Sequence, residues 1–396
     1  MALGASVGYA VAGKEMGPKA LLWGAVGGTL PDLDVFGNAF LDDLEGLAFH
    51  RGFTHSIIFM LLGPIIMTPL FRWYYRHKLN EKKWVSIVKW ILVSFALLLG
   101  LAYIGISSFV LLGTVGMGIS FAVTLVLYGL LWPKRNELLH SNPNQFKGAD
   151  TSFGKLYLFF FAVFVTHIFI DVCTTYGTQI FYPFDLYRAS IHNISVIDPL
   201  YTLPLLLGII GSLYAGAKAN GAGLLLSSLY MGLTFFNLMA VKDSFTTELE
   251  KEGIAYERYM VSPTLMNNVI WNGIAESDSF YYLTSMHVGG ERLYDFTKVK
   301  KDRKGVTDEV MKEGGDVLAW FSNGYYETRK TKKGVTFKDL RFAMHYKDTV
   351  QTGMGFTLQK KENGEYETQE VRDRNMNLGE FIPYFRNLLW GNLPDS

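Results

Sequence analysis

Three short patterns in this sequence bring together residue types that hold divalent metals. In His50-Arg51-Gly52-Phe53-Thr54-His55-Ser56 two imidazoles stand five positions apart. Five residues turn a helix through about 500°, or about 140° net, so one helix face cannot present both. Gly52 offers a break: His50 can end a loop while Thr54 N-caps a span that begins at His55. The same pattern also suits two interfacial histidines beside a snorkelling arginine. His167 and Asp171 lie at i and i+4, which puts both on one helix face within a few ångström. An ionised carboxylate at a lipid-facing helix centre costs about 2.5–3.5 kcal/mol, so Asp171 needs a polar interior and partners. Imidazole beside carboxylate suits a borderline metal such as zinc, and equally a buried His–Asp hydrogen bond. In Leu30-Pro31-Asp32-Leu33-Asp34, a strand-like reading projects Asp32 and Asp34 to one side, as two ligands or as a solvated turn. Asp198, before Pro199, is either a further ligand or a helix-start acid favoured by the dipole.

The elements that must position these residues are apolar runs. The 396-residue chain is 49% hydrophobic, and its hydrophobic residues are concentrated before Lys242. A bilayer crossing needs roughly 17–25 such residues. Runs at 56–71, 84–106, 107–131, 153–173, 200–217 and 221–241 give about six spans. The Gly-rich stretches near 2–12 and 20–30 are too short to cross and read as half-helices packed against the bundle. Residues 1–12 lack a basic segment ahead of an apolar one, so the first span is expected to act as the insertion signal. Arg72, Arg76, Lys78, Lys82 and Lys83 fall in one loop; Lys134, Arg135, Lys147 and Lys155 in another; Lys218 in a third. These share one side, which the positive-inside rule makes cytoplasmic. His55, Asp171, Asp32 and Asp34 then gather on the opposite, extracytoplasmic side, together with everything after 242.

From Lys242 the chain is charged and alternates in β fashion. Residues 280–288 and 335–345 are strand candidates, Asn363-Gly364 marks a hairpin, and 381–390 is an amphipathic helix. The expected fold is therefore an α-helical polytopic membrane bundle (1–241) followed by a soluble β-rich α+β domain (242–396). The net charge of +1 gives no argument for nucleic acid, and the single Cys173 excludes an intramolecular disulfide framework or a Cys-rich zinc module. No Walker loop, dinucleotide fingerprint or Gly-x-Ser-x-Gly elbow is present. The glycines of Trp23-Gly-Ala-Val-Gly-Gly28 are better explained by close helix packing.

The succession Pro31-Asp32-x-Asp34, His50-Arg51-Gly52-x-Thr54-His55-Ser56, His167-x-x-x-Asp171-x-x-Thr174-Thr175-x-Gly177 and Pro183-Phe184 resembles the bacterial and archaeal membrane-bound metal-dependent hydrolases, also described as LexA-binding, inner-membrane-associated hydrolases. The resemblance covers most of residues 1–275, including Asp198-Pro199 and Pro263-Thr264 with Asn267 and Trp271. It implies one or two divalent ions, zinc foremost, held by His50, His55, His167, Asp171 and Asp32, with Thr54 and Asp198 as further candidates. Asp32 or Asp34 would act as base and Arg51 would neutralise a phosphate. The expected protein is a multi-pass hydrolase of the inner membrane, with membrane lipids as neighbours and a phosphoester or lipid-linked substrate. A non-enzymatic membrane regulator whose C-terminal domain binds a protein partner is the alternative.

Overall fold

A computed structural model describes residues 1–85, 150–302, 305–346, 349–371 and 378–389, with scattered positions between 87 and 134. Two short N-terminal helices, α1 (Ala2–Met16) and α2 (Lys19–Gly27), pack against each other in place of crossing separately. The glycines make this possible. A Cβ on Gly24 would sit 2.3 Å from the Gly4 carbonyl oxygen, so the two backbones are in contact. Gly24→Ala is therefore expected to cost about 1–3 kcal/mol by overpacking. Thermal unfolding in detergent micelles checks this, and an unchanged midpoint would count against the close approach.

Among the described residues three helices are long and apolar enough to cross a membrane. They are α4 (Ile57–Arg76), α5 (Phe153–Cys173) and α7 (Ala217–Lys251); α3 (Asp43–Phe49) is a short surface helix. On α4 the small or flat residues Gly63, Pro64, Thr68 and Phe71 are buried, while Leu61, Leu62, Ile65, Ile66 and Leu70 point outward. That outward apolar face is what hydrocarbon would cover. Phe71 joins Phe159, Phe160 and Phe164 of α5 and Ala12 and Met16 of α1 in the bundle core. Polar pairs hold register inside it: Ser6 Oγ donates to Asn220 Oδ1 (2.8 Å), and Trp23 Nε1 to the Tyr75 hydroxyl (2.7 Å).

The expectation of six spans is thus met for three. The run at 200–217 forms α6 (Pro199–Ala215), a shorter apolar helix whose 17 residues rise about 25 Å. The runs at 84–106 and 107–131 fall largely outside the described residues, as do Arg135 and Lys147.

Helix α7 continues through the composition shift at Lys242 because its buried stripe does: Met231, Leu238, Val241, Phe245 and Leu249 recur at helical spacing. Its last turns pack on Trp271 and Met286 of an antiparallel sheet, β1 (Arg258–Pro263), β2 (Ile270–Glu276), β3 (Phe280–His287) and β4 (Thr297–Lys300). A second sheet has the order β10-β9-β6-β5, built from β5 (Tyr326–Lys330), β6 (Val335–Asp339), β9 (Gly355–Lys360) and β10 (Tyr366–Val371). Its β9–β10 hairpin turns at Asn363-Gly364, as the sequence implies. The strand expected over 335–345 is instead broken by a 3-10 turn, Leu340–Phe342. There the Asp339 carboxylate accepts the Arg341 amide and guanidinium, so the ladder restarts as β7 (Ala343–Tyr346), paired with β8 (Thr349–Thr352). The terminal amphipathic segment is helical over Leu378–Leu389.

His345 is buried on β7 and stacked on Tyr294. Ser285 Oγ donates its one hydrogen to Asn272 Oδ1, so His345 Nδ1–H donates to Ser285, and Nε2 lies 3.1 Å from the Thr297 hydroxyl. Burial lowers the pKa of the ring from 6.5 to about 4, which keeps it neutral and lets Nε2 accept from Thr297. A histidine kept neutral contributes stability that is complete above 6.5 and lost as pH falls through about 4. Denaturant unfolding of the full chain is expected to weaken by up to about 1.4 kcal/mol per pH unit across this window. His345→Gln should flatten that slope; an equal slope in both proteins would refute the assignment.

Candidate metal centre

The segment after α2 begins with Pro31 at the first helical position and forms a 3-10 helix, Pro31–Ala39, not the strand-like stretch expected. At three residues per turn, Asp32 and Asp34 point to different sides of it. Asp34 is buried and Asp32 has a side chain 46% exposed. The chain then crosses α3, whose start is closed by a capping box between Asp42 and Glu45. This gives those acids a structural role.

His50 ends α3, Arg51 turns the backbone through a positive φ of 61°, and Phe53–His55 makes one 3-10 turn. The cap of α4 is Ser56, whose Oγ accepts the Phe59 amide at 3.2 Å. Thr54, expected as that cap, instead donates its hydroxyl to Asp34 Oδ2 (2.9 Å), because the extra turn moves it off the helix axis. The result is that His55 points inward toward α5, where His167 and Asp171 share one face.

Four side chains meet there: Asp32, His55, His167 and Asp171. The two imidazole Nε2 atoms are 3.3 Å apart. His55 Nε2 lies 3.4 Å from Asp32 Oδ1 and 3.2 Å from Asp171 Oδ2; His167 Nε2 lies 3.5 and 3.3 Å from the same atoms. One ring nitrogen carries one hydrogen or one lone pair and cannot serve three partners. Moreover, the buried Asp171 Oδ2 has no hydrogen bond of acceptable geometry. The atoms therefore converge on a common point. Five of the six distances among the four donor atoms are 3.2–3.5 Å and all lie within 4.8 Å, the spacing of donors that share one divalent cation at about 2.0–2.2 Å. The donor set and its spacing fit a metal ion.

Around the four lies a shell that aims them. Asp34 accepts from His50 Nδ1 (2.7 Å), the Arg51 amide (2.9 Å) and Thr54, and stands 3.3 Å from His55 Nδ1. With the Thr54 hydroxyl, 3.1 Å from the same Nδ1, it fixes the His55 ring with Nε2 turned to the centre. Burial opposes charge on Asp34, but the bonds from His50 and His55 outweigh it and hold the carboxyl well below its usual range. The same balance, with His167 and His55 as partners, depresses Asp32. Arg51 Nη2 holds Asp171 Oδ1 at 3.1 Å, and Nη1 donates to Thr174 (3.2 Å).

Several expected roles shift accordingly. His50 is not in the group of four; its Nδ1 is committed to Asp34. Arg51 is buried and paired with Asp171, so it is not a free phosphate clamp. Asp34 carries too many donors to serve as a free base. Asp198 caps α6, accepting from the Leu200 and Tyr201 amides and the Tyr230 hydroxyl, so its helix-start reading is the one realised. Gly177 does make a bend at positive φ, 71°.

One participant escaped the sequence reading. Arg188 is buried, with its guanidinium 4.9 Å from the ring of Tyr176 and 5.2 Å from that of Phe321. It donates to the Gly177 carbonyl at 3.2 Å. Trp320 Nε1 donates to the Leu186 carbonyl at 2.9 Å. These contacts clamp the C-terminal region onto the loops of the centre. The available signal was that Arg188 is the one basic residue between α5 and α6.

A family model described as YdjM inner membrane protein matches residues 1–111 and 116–241. The chain belongs to the YdjM inner membrane protein family. With its long apolar helices, this YdjM-family chain is a membrane protein. No curated protein and no solved structure matches it. The match to the YdjM model ends within α7, so all four residues of the centre lie inside it and the β-strands lie beyond it.

Proposed function

We propose that this protein is a divalent-metal-dependent hydrolase of the inner membrane that acts on a phosphoester or lipid-linked substrate. The observation that carries the reading is the convergence of Asp32, His55, His167 and Asp171 on one point, with Asp171 Oδ2 left for an ion. Asp32, His55, His167 and Asp171 would hold the ion, and a close set of two nitrogens and two oxygens favours zinc. When bound, such an ion supplies Lewis acidity toward water and a scissile phosphoryl or acyl group.

The chain's own residues do the rest. Asp34 locks the His55 tautomer, and Arg51 with Thr174 keeps Asp171 from swinging away. Asp32 is the half-exposed member, so it faces incoming water and can take a proton on its second oxygen. The centre lies where α4 begins and α5 ends, on the side of the bundle that carries the β-sheets. The basic loops at the other end of α4 and α5 would make this side extracytoplasmic.

A second reading has an observation of its own: four protein donors gathered in one group are typical of structural zinc. In that case the protein is a membrane regulator or scaffold, with its C-terminal domain as partner surface. Mass spectrometry of metals on the purified protein and on a His167→Ala/Asp171→Ala variant tests both. About one equivalent in the parent, none in the variant, and parent-only turnover on a phosphoester panel is the expected result. Metal without turnover would favour the scaffold, and a metal-free parent would end both readings.

A further inference from the structure

The C-terminal region meets the metal loop along a seam, and that seam encloses a groove of about 550 Å³. This lies within the ~300–1,000 Å³ typical of small-ligand sites. One wall is Leu41, Ala48, Gly52 and Phe53; the other is Val317 and Trp320, brought there by the Arg188 and Trp320 contacts described above. The lining is mostly apolar. Gly52 separates the groove from Arg51, whose guanidinium holds Asp171, so groove and centre share one strip of backbone.

Two observations select the occupant. The first is level. Phe53 precedes the span Ile57–Arg76 by one 3-10 turn, so the groove opens where that helix enters the bilayer. Tyr182 and Trp320, residue types that gather at membrane–water boundaries, line it, and beside lining residues in the chain Phe40 is 92% and Phe184 87% exposed. An apolar concavity at that level, flanked by exposed apolar side chains, is filled from the lipid. The second is charge. The acids at the groove are Glu45 and Asp316, both exposed, and no lysine or arginine is among the described residues that line it. An anionic head is repelled by that lining and would meet its counter-charge at an ion held by the four residues of the centre.

We propose that the groove takes a hydrocarbon chain of a membrane lipid whose anionic head is presented to the Asp32–His55–His167–Asp171 centre. The C-terminal region would then supply the second wall of a lipid site. The proposal rests on the hydrolase reading only for the fate of the head; binding of the chain stands without turnover.

The test uses the full-length protein in phosphatidylcholine vesicles containing phosphatidylglycerol with a photoactivatable diazirine in one acyl chain. Cross-links are expected on peptides spanning 41–53 and 317–320. Ala48→Trp, which fills the groove, should remove them while leaving bound metal unchanged, and Val317→Trp should do so from the opposite wall. Labelling confined to outward residues of the spans, such as Ile65 and Ile66, and equal in all three proteins would overturn the proposal. Groove labelling without turnover on any phosphoester would sustain the lipid site and remove the hydrolase reading alone.

Discussion

His55→Ala is expected to purify without a bound divalent ion and without hydrolytic turnover. No other residue touches so much of the centre: His55 lies within 3.5 Å of Asp32, Asp34, Asp171 and His167. Without it, carboxylates face a single imidazole and one of the four donors is gone. Loss of an outer partner typically lowers metal affinity 10–100-fold, so loss of this ligand should exceed about 100-fold. In the metal-free protein burial disfavours charge on His55, yet bonds to Asp171, Asp32 and Asp34 raise its pKa to about 10. An entering ion must displace that proton, so apparent affinity should rise with pH in the parent. Metal analysis and chelator competition at several pH values measure both effects. Full retention of metal by the variant would refute the centre.

Asp34→Asn is the companion prediction and separates aiming from holding. The amide keeps the size of the carboxylate but replaces one acceptor with a donor, set against donors from His50, Arg51, Thr54 and His55. At least one buried donor is left unpaired, and the His55 ring loses the carboxylate that fixes its tautomer. We expect metal to remain at about 10–100-fold lower affinity, with turnover reduced by at least as much. Chelator competition checks it. An unchanged affinity would show that the Phe53–His55 turn alone orients the ring.

The four residues of the centre were legible in the sequence because intramembrane polar residues are scarce, and because i, i+4 spacing and span ends place them at one depth. The division of labour was not legible. Whether Asp32 or Asp34 faces the centre depends on a 3-10 helix, and a two-residue offset that aligns side chains in a strand parts them there. Likewise, whether His50 or His55 reaches the centre depends on the left-handed backbone at Arg51, a residue type that seldom adopts it. The β-hairpin at Asn363-Gly364 was readable from local turn chemistry, whereas the break at Leu340–Phe342 comes from one Asp–Arg contact that periodicity cannot show. Arg188 was visible only as an isolated charge; its partners Tyr176 and Phe321 are brought together by tertiary packing.

The continuity of α7 has a geometrical consequence. Its 35 residues rise about 52 Å, while the hydrocarbon slab is about 30 Å thick. Roughly 20 Å of stiff rod therefore projects beyond the lipid and ends inside the first sheet. Such a rod works as a ruler. It sets the height of the sheet above the bilayer, and the Arg188 and Trp320 contacts hold the loops of the centre to the region so placed.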